Sequence, residues 1–436
     1  MTSASQAEGY LALKRAAEVM PSNIDKHSVE GEESVRLCNY VDVYKNDRIN
    51  GDMEFMAATA TAAQIERFTL RTGDVIVTKD SEEPTDIGIP AYVPEDMPGV
   101  VCGYHLAVLR PDPQRLHGGF LAWWLRSKEV HAYYSTAATG ISRYALSVND
   151  IGMTPLRLPP FSQQERIAKF LDEQTARIDA LITEKGRLLK NLTEFRKSII
   201  SEVTLRGLQK DVSTRSSGYD WLGETPAHWQ LKKMKHLGEA VIGLTYSPDD
   251  VTDADNGVLV LRSSNIRDGQ LAFDDNVYVT CAIPGKLRVQ AGDILICSRN
   301  GSRTLIGKNA FIEPEHAGLT FGAFMTVFRS PHNAYIRWVL NSPLFDFHSA
   351  SFLTSTINQL TTGSLNSFVV PFPPKKERQE IATYLSARTA EVDLLIRHVN
   401  QHIERLREYR SSLISAAVTG QLDISTFTEN LPRVSS

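Results

Sequence analysis

The chain repeats itself once, and the repeat is long. Displaced by 214 residues, Pro159-Pro160 falls on Pro373-Pro374, Ile167-Ala168 on Ile381-Ala382 and Phe170-Leu171 on Tyr384-Leu385. Thr175 meets Thr389, Asp179 meets Asp393, and Leu181-Ile182 meets Leu395-Ile396. Further along, Leu192 meets Leu406, Phe195-Arg196 meets Tyr409-Arg410, and Ile200-Ser201 meets Ile414-Ser415. Solenoid repeats recur every ~20–50 residues, so a period this long marks a duplicated domain. The chain must therefore fold as two versions of one module, each closed by the same kind of segment.

Those segments read as long helices. Each follows a double proline, which halts the preceding strand and blocks a helix from running back through it. In the first copy Leu171, Ile178, Leu192 and Ile199 lie at multiples of seven, joined by Leu181, Leu188 and Phe195. In the second, Leu385, Val392, Val399, Leu406 and Leu413 recur every seven, joined by Leu395 and Tyr409. A sustained heptad repeat predicts a coiled coil, and Lys185, Arg388 and His402 interrupt it. Each segment spans ~35 residues, about 50 Å at ~1.5 Å per residue, against a usual helix of ~11–12. Two such segments in one chain are expected to pair antiparallel. Gly207 and Gly420-Gln421 mark their ends.

The regions before the helices echo each other more faintly. Gly73-Asp74-Val75-Ile76-Val77 is similar to Gly292-Asp293-Ile294-Leu295-Ile296, and Ala107-Val108-Leu109-Arg110 to Thr326-Val327-Phe328-Arg329. Short strands are predicted at Val75–Thr78, Leu106–Arg110, Val258–Leu261, Asp293–Cys297 and Phe324–Arg329, with one helix late in each module, His117–Tyr134 and Tyr335–Phe347. Residues 208–220, rich in Ser, Thr and Gly, read as a linker. The expected fold class is α+β: two mixed α/β domains separated by an antiparallel coiled coil of two long spacer helices, with an internal pseudo-two-fold repeat. The expected division is 1–158, first domain; 159–210, first spacer helix; 211–372, linker and second domain; 373–425, second spacer helix; 426–436, tail.

Composition excludes more than it suggests. No apolar stretch reaches the ~18 residues of a membrane span, and the first twenty residues lack a secretory apolar core. Cys38, Cys102, Cys281 and Cys297 are scattered, and the 11 histidines show no ligand spacing, so a reduced cytoplasmic protein without a metal is expected. GSRTLIGK at 301–308 has one residue too many between its glycines for a phosphate loop, and Asn309 stands where magnesium needs Ser or Thr. No acid, base and nucleophile assemble, so no catalysis by the chain itself is expected. Trp123-Trp124 and Tyr133-Tyr134 sit in an amphipathic pattern and read as core. The net charge of −4 argues against tight autonomous binding to nucleic acid, so any contact must come from local loops.

Such loops occupy equivalent places in both copies. After the matched strand come Lys79 and Ser81 in the first copy, and Ser298, Arg299, Asn300, Ser302 and Arg303 in the second. After the late helix come Thr139, Ser142, Arg143 and Tyr144 in the first, and Thr356, Asn358 and Gln359 in the second. Arg262, Asn265 and Arg267 form a further candidate in the second copy only. Arg, Asn and Gln match base edges in the major groove.

The paired segments Leu158-Pro-Pro-Phe-Ser-Gln-Gln-Glu-Arg-Ile-Ala-Lys-Phe-Leu171 and Pro371-Phe-Pro-Pro-Lys-Lys-Glu-Arg-Gln-Glu-Ile-Ala-Thr-Tyr-Leu385 carry a family resemblance. Arg196–Ser201, Arg410–Ser415 and the entry Tyr219-Asp-Trp-Leu-Gly-Glu-Thr-Pro-Ala-His-Trp229 reinforce it, although the first domain lacks such a Trp-rich entry. Over nearly its whole length the chain resembles a specificity subunit of a type I restriction–modification enzyme. The resemblance implies a sequence-specific DNA-binding subunit whose two target-recognition domains each read half of a bipartite site in double-stranded DNA. It implies spacer helices that set the gap and dock methyltransferase (M) subunits, with motor-nuclease (R) subunits completing the complex. It also implies that S-adenosylmethionine, ATP and magnesium reside on those partners and none on this chain. The alternative is a two-domain coiled-coil scaffold or adaptor that binds no DNA.

Overall fold

The computed structural model describes residues 9–267, 269–345 and 359–427. They divide into two compact units, one holding residues up to Gly186 together with Asn400 onward, the other Arg187–Val399.

In the first unit a four-stranded antiparallel sheet runs in the order Ala17–Pro21, Leu106–Pro111, Val75–Thr78, Pro90–Tyr92. Val75, Ile76 and Val77 are all fully buried, as their unbroken apolar run requires of a strand covered on both faces. A second sheet orders Met56–Ala60, Glu33–Cys38 and Val100–Cys102, the last two parallel. In the second unit the corresponding sheets are Glu239–Ile242, Met325–Arg329, Ile294–Cys297, Asn309–Phe311 and Val251–Thr252, Tyr278–Val279, Val258–Leu261, Thr320–Phe321, again with one parallel pair. The strands that open at Val75 and Leu106 correspond to those that open at Ile294 and Met325 at a shift of 219, and the pairing of Val75 with Leu109 recurs as Ile294 with Phe328. The faint echo is thus one sheet topology built twice.

The repeated Gly-Asp and Arg are structural. Arg110 donates to Asp74 at 2.8 Å and to the Thr69 carbonyl, and Arg329 donates to Asp293 at 2.7 Å and to the Arg288 carbonyl. Both carboxylates are buried, and a buried charge persists only when paired.

Three local expectations change. The helix expected over His117–Tyr134 is two, Gly118–Leu125 and Lys128–Ala137, because Ser127 leaves the helical path and its hydroxyl caps the second through Val130 N–H. Trp124 and Tyr134 are buried in the core of that unit. The helix expected over Tyr335–Phe347 begins at Asn333 and ends at Leu340, a new helical turn starts at residue 343, and residues 346 and 347 lie outside the described residues. The 208–220 linker contains a strand, Thr214–Ser216, paired with Glu224–Pro226.

Each domain's entry strand pairs antiparallel with the strand that leads into its spacer helix: Tyr10–Ala12 with Pro155–Arg157, and Gln230–Lys233 with Val369–Phe372. The prolines follow, then helices of 46 and 45 residues, Phe161–Arg206 and Lys375–Thr419. Gly207 and Gly420 close them with φ of 77° and 73°, the left-handed conformation that glycine adopts without a steric penalty.

Within each unit the two helices pack against each other and run antiparallel. In the first, Asp179 pairs with Arg410 at 2.9 Å while Phe170 meets Phe427 edge-on. In the second, Arg196 pairs with Asp393 at 2.8 Å, and Ile200 and Val203 share a core with Ile381 and Leu385. The repeat relates Asp179 to Asp393 and Arg196 to Arg410, so a single interaction is made twice.

The seam corrects the sequence reading. Leu171, Ile178, Leu385, Val392, Leu406 and Leu413 are buried, and Leu192, Ile199 and Val399 are partly covered. The second seam position falls one residue later than expected. It holds Thr175, Ile182, Leu189, Arg196 and Val203 in one helix, and Thr389, Ile396, Ile403, Arg410 and Ala417 in the other, all at least partly buried. Leu188, Phe195 and Leu395 are instead 43%, 48% and 50% exposed. Leu181 and Tyr409 pack at the rim of the first unit's core. Polar residues at the true positions hid the phase. Each Thr satisfies its own hydroxyl by donating to the carbonyl four residues back, Leu171 and Leu385, at 2.7 Å.

Candidate nucleic-acid interface

In the first domain the two expected loops join into one sheet. Asp80–Ser81 pairs with Tyr144–Ala145, which pairs with Thr139–Gly140. Thr139, Ser142 and Arg143 are exposed, Tyr144 is half-buried, and Ile141 at the hairpin tip is 97% exposed. Gly140, at φ 153°, is forced there, because a Cβ would lie 2.0 Å from the Arg143 carbonyl oxygen. Arg143 donates to Asp80 at 2.6 Å, and His105 Nδ1 lies 2.8 Å from the other Asp80 oxygen. The hydrogen bond to Asp80 raises the Arg143 pKa further above its ordinary value. Lys79 seats its ammonium 4.6 Å from the Tyr104 ring centre. Ser81 is nearly buried, its hydroxyl accepting from Glu83 N–H. Tyr40 lies beside it, and burial raises its phenol pKa.

In the second domain Arg299 bridges to Gln359, its guanidinium donating to the Gln359 side-chain carbonyl at 2.8 Å and lying 5.6 Å from the Phe324 ring centre. Asn300 donates to the Ser263 hydroxyl at 3.0 Å and accepts from Ser302 N–H. The Ser302 and Thr304 hydroxyls share a hydrogen bond, and Arg303 opens the exposed turn Arg303–Leu305. Arg262 and Arg267 pair with Asp275 and Asp274 at 2.8 and 2.7 Å. Thr356 and Asn358 lie outside the described residues.

Three candidates are corrected by burial, Ser81 at 7% exposed among them. Asn265 is fully buried, accepting from Arg262 N–H and donating to the Ala272 and Asp275 carbonyls and the Asn276 side chain. It ties its loop together and presents nothing to a ligand. Ser298 is 6% exposed and spends its hydroxyl on the Phe324 carbonyl.

The shift of 219 brings the two loop sets into register. Lys79 N–H donates to the His105 carbonyl, and Ser298 N–H donates to the Phe324 carbonyl. Asp80 is therefore equivalent to Arg299, and His105 to Phe324. One backbone frame carries Asp80 and His105 in one domain and Arg299 and Phe324 in the other; Gln359, opposite Arg299, answers to Ala145, opposite Asp80, while Arg143 reaches Asp80 from two residues earlier. These sets offer different donors and acceptors, which is what two readers of different base sequences require. Tyr104, His105 and Phe324 are absent from the sequence-based candidates, and Asp80 lies between two of them, Lys79 and Ser81. The strand match at 219 pairs Asp80 with Arg299 and His105 with Phe324, which is the signal in the sequence that points to them. Among the described residues no group of three or more His, Cys, Asp or Glu is placed to hold a metal ion, and no helix is long and apolar enough to cross a membrane.

Comparison with known proteins assigns the same two modules. The family model for the type I restriction modification DNA specificity domain matches residues 36–191 and again 226–405, each span covering most of one domain and part of its spacer helix. The type I restriction enzyme EcoKI specificity subunit of Escherichia coli K12 is 23% identical over 373 residues, covering 82% of this chain and 76% of that protein. The putative type I restriction enzyme MjaX specificity subunit of Methanocaldococcus jannaschii is 21% identical, covering 83% and 81%. Among solved structures, a chain from a study of complex assembly and conformational transition of the type I restriction–modification system superposes with a TM-score of 0.71 at 17% identity, over 95% of this chain and 99% of that one. The HsdS subunit of Thermoanaerobacter tengcongensis gives a TM-score of 0.51 at 16% identity, over 97% and 100%. The chain belongs to the type I restriction–modification DNA specificity family, as a DNA-recognition subunit with two specificity domains.

Proposed function

We propose that each domain reads one half of a bipartite target in double-stranded DNA, and that the paired spacer helices set the gap between the halves. The observation that carries this is the shared loop frame with unlike contents, Asp80, His105 and Ala145 against Arg299, Phe324 and Gln359, with Arg143 added to the first set by its bond to Asp80. One fold presented twice supplies two docking events. Different side chains on that fold supply two sequences. The modest net charge of −4 leaves much of the phosphate neutralisation to other subunits.

In this reading methyltransferase subunits dock on the spacer helices and motor-nuclease subunits complete the assembly in the cytoplasm. S-adenosylmethionine, ATP and magnesium are held by those partners, and the chain described here performs no bond-making step. The test is reconstitution with its cognate methyltransferase subunit, methylation of random DNA, and sequencing of the modified sites. A split motif with a fixed gap supports the reading. Methylation without a motif, or activity of this chain alone, contradicts it.

A further inference from the structure

Two aromatic rings remain open to solvent on the loop that joins the parallel strand of each domain to its central sheet. Tyr104 follows Val100–Cys102 and is 52% exposed; Phe324 follows Thr320–Phe321 and is 59% exposed. A cation from the neighbouring loop lies near each ring, Lys79 at 4.6 Å and Arg299 at 5.6 Å from the ring centre. The loops are held together by backbone bonds, Lys79 N–H to the His105 carbonyl and Arg299 N–H to the Phe324 carbonyl. Tyr104 stands one residue before the strict equivalent of Phe324, so the recurrence belongs to the loop and not to one inherited position.

Resting on the DNA-recognition reading above, we propose that Tyr104 and Phe324 are base-stacking residues, each engaging a base step of its own half-site. An exposed ring adds little to the core, but every base offers it a π-face. Apolar side chains that enter a base step unstack it. The polar sets beside the rings then read base edges against a fixed stacking contact.

The test uses the full-length chain in complex with its methyltransferase subunit, and a duplex carrying the methylated motif with 2-aminopurine at successive positions. Wild type is expected to raise fluorescence at one position in each half-site. Tyr104→Ala removes the signal from one half and Phe324→Ala from the other. Each weakens binding by about 5- to 150-fold, the loss of ~1–3 kcal/mol per stacked base. Tyr104→Phe and Phe324→Tyr retain signal and affinity, while Phe324→Leu, apolar but not planar, loses the signal. Circular dichroism melts of all variants match wild type. Absence of a fluorescence rise with wild type, or affinity within twofold in both Ala variants, overturns the stacking proposal alone. A wild-type complex with no sequence-selective binding overturns the DNA-recognition reading with it.

Discussion

The corrected heptad phase separates two leucines on one helix. Leu385 is fully buried in the second unit's core, and Leu395 is 50% exposed. Replacing Leu385 with Ala deletes three buried carbons, about 2.4 kcal/mol at ~0.8 kcal/mol each. The cavity left behind brings the cost to roughly 3–5 kcal/mol. At Leu395 half of the transfer energy is already forgone and no cavity forms, leaving roughly 1 kcal/mol or less. Because the chain forms two units, one melting curve does not isolate this helix. Hydrogen exchange of peptides within Lys375–Val399 does. Leu385→Ala is expected to speed exchange by about a hundredfold or more, and Leu395→Ala by at most about fivefold. Equal acceleration, or a larger effect at Leu395, would refute the seam and restore the phase first read from the sequence.

Three further outcomes follow from the same structure. Deleting one heptad from a single spacer helix is expected to change the gap of the methylated motif or abolish recognition, with both half-site sequences unchanged. His332 has its pKa lowered below 6.5, by burial first and then by Arg378 and Lys232. The unfolded chain therefore takes the proton first as pH falls, so stability contributed by the neutral ring is present above pH ~6.5 and lost below it; His332→Gln flattens that part of an acid denaturation profile. Cys38 and Cys102 face each other on adjacent buried strands, and burial raises both thiol pKa values. Iodoacetamide labelling of the native protein, read by mass spectrometry, is expected to spare both and to modify the partly exposed Cys281.

Much of the architecture was legible because it was written twice. The duplicated Pro-Pro boundary, the buried Leu171, Leu385 and Leu406, and the closing glycines all followed from pattern. The second seam position did not, because Thr175, Thr389, Arg196 and Arg410 occupy it, and apolar periodicity does not see a Thr that bonds its own helix or an Arg paired across the seam. The candidate loops were legible as places, since strand ends on a repeated frame recur. Their contents were less so. Asn265 looks like a reader in sequence and is a loop tie in three dimensions. Phe324 opens an expected strand and Tyr104 carries no pattern of its own, yet both rings stand in solvent. Burial of a turn residue depends on contacts distant in sequence, which no local pattern records.

The central claim, one domain for one half-site, is tested most directly by sequencing DNA methylated by the reconstituted complex carrying Arg299→Ala, Asn300→Ala and Arg303→Ala together. The account predicts a two-part motif in which one half is loosened or lost while the other half and the gap match wild type. Equal degradation of both halves, or an unchanged motif, would contradict it.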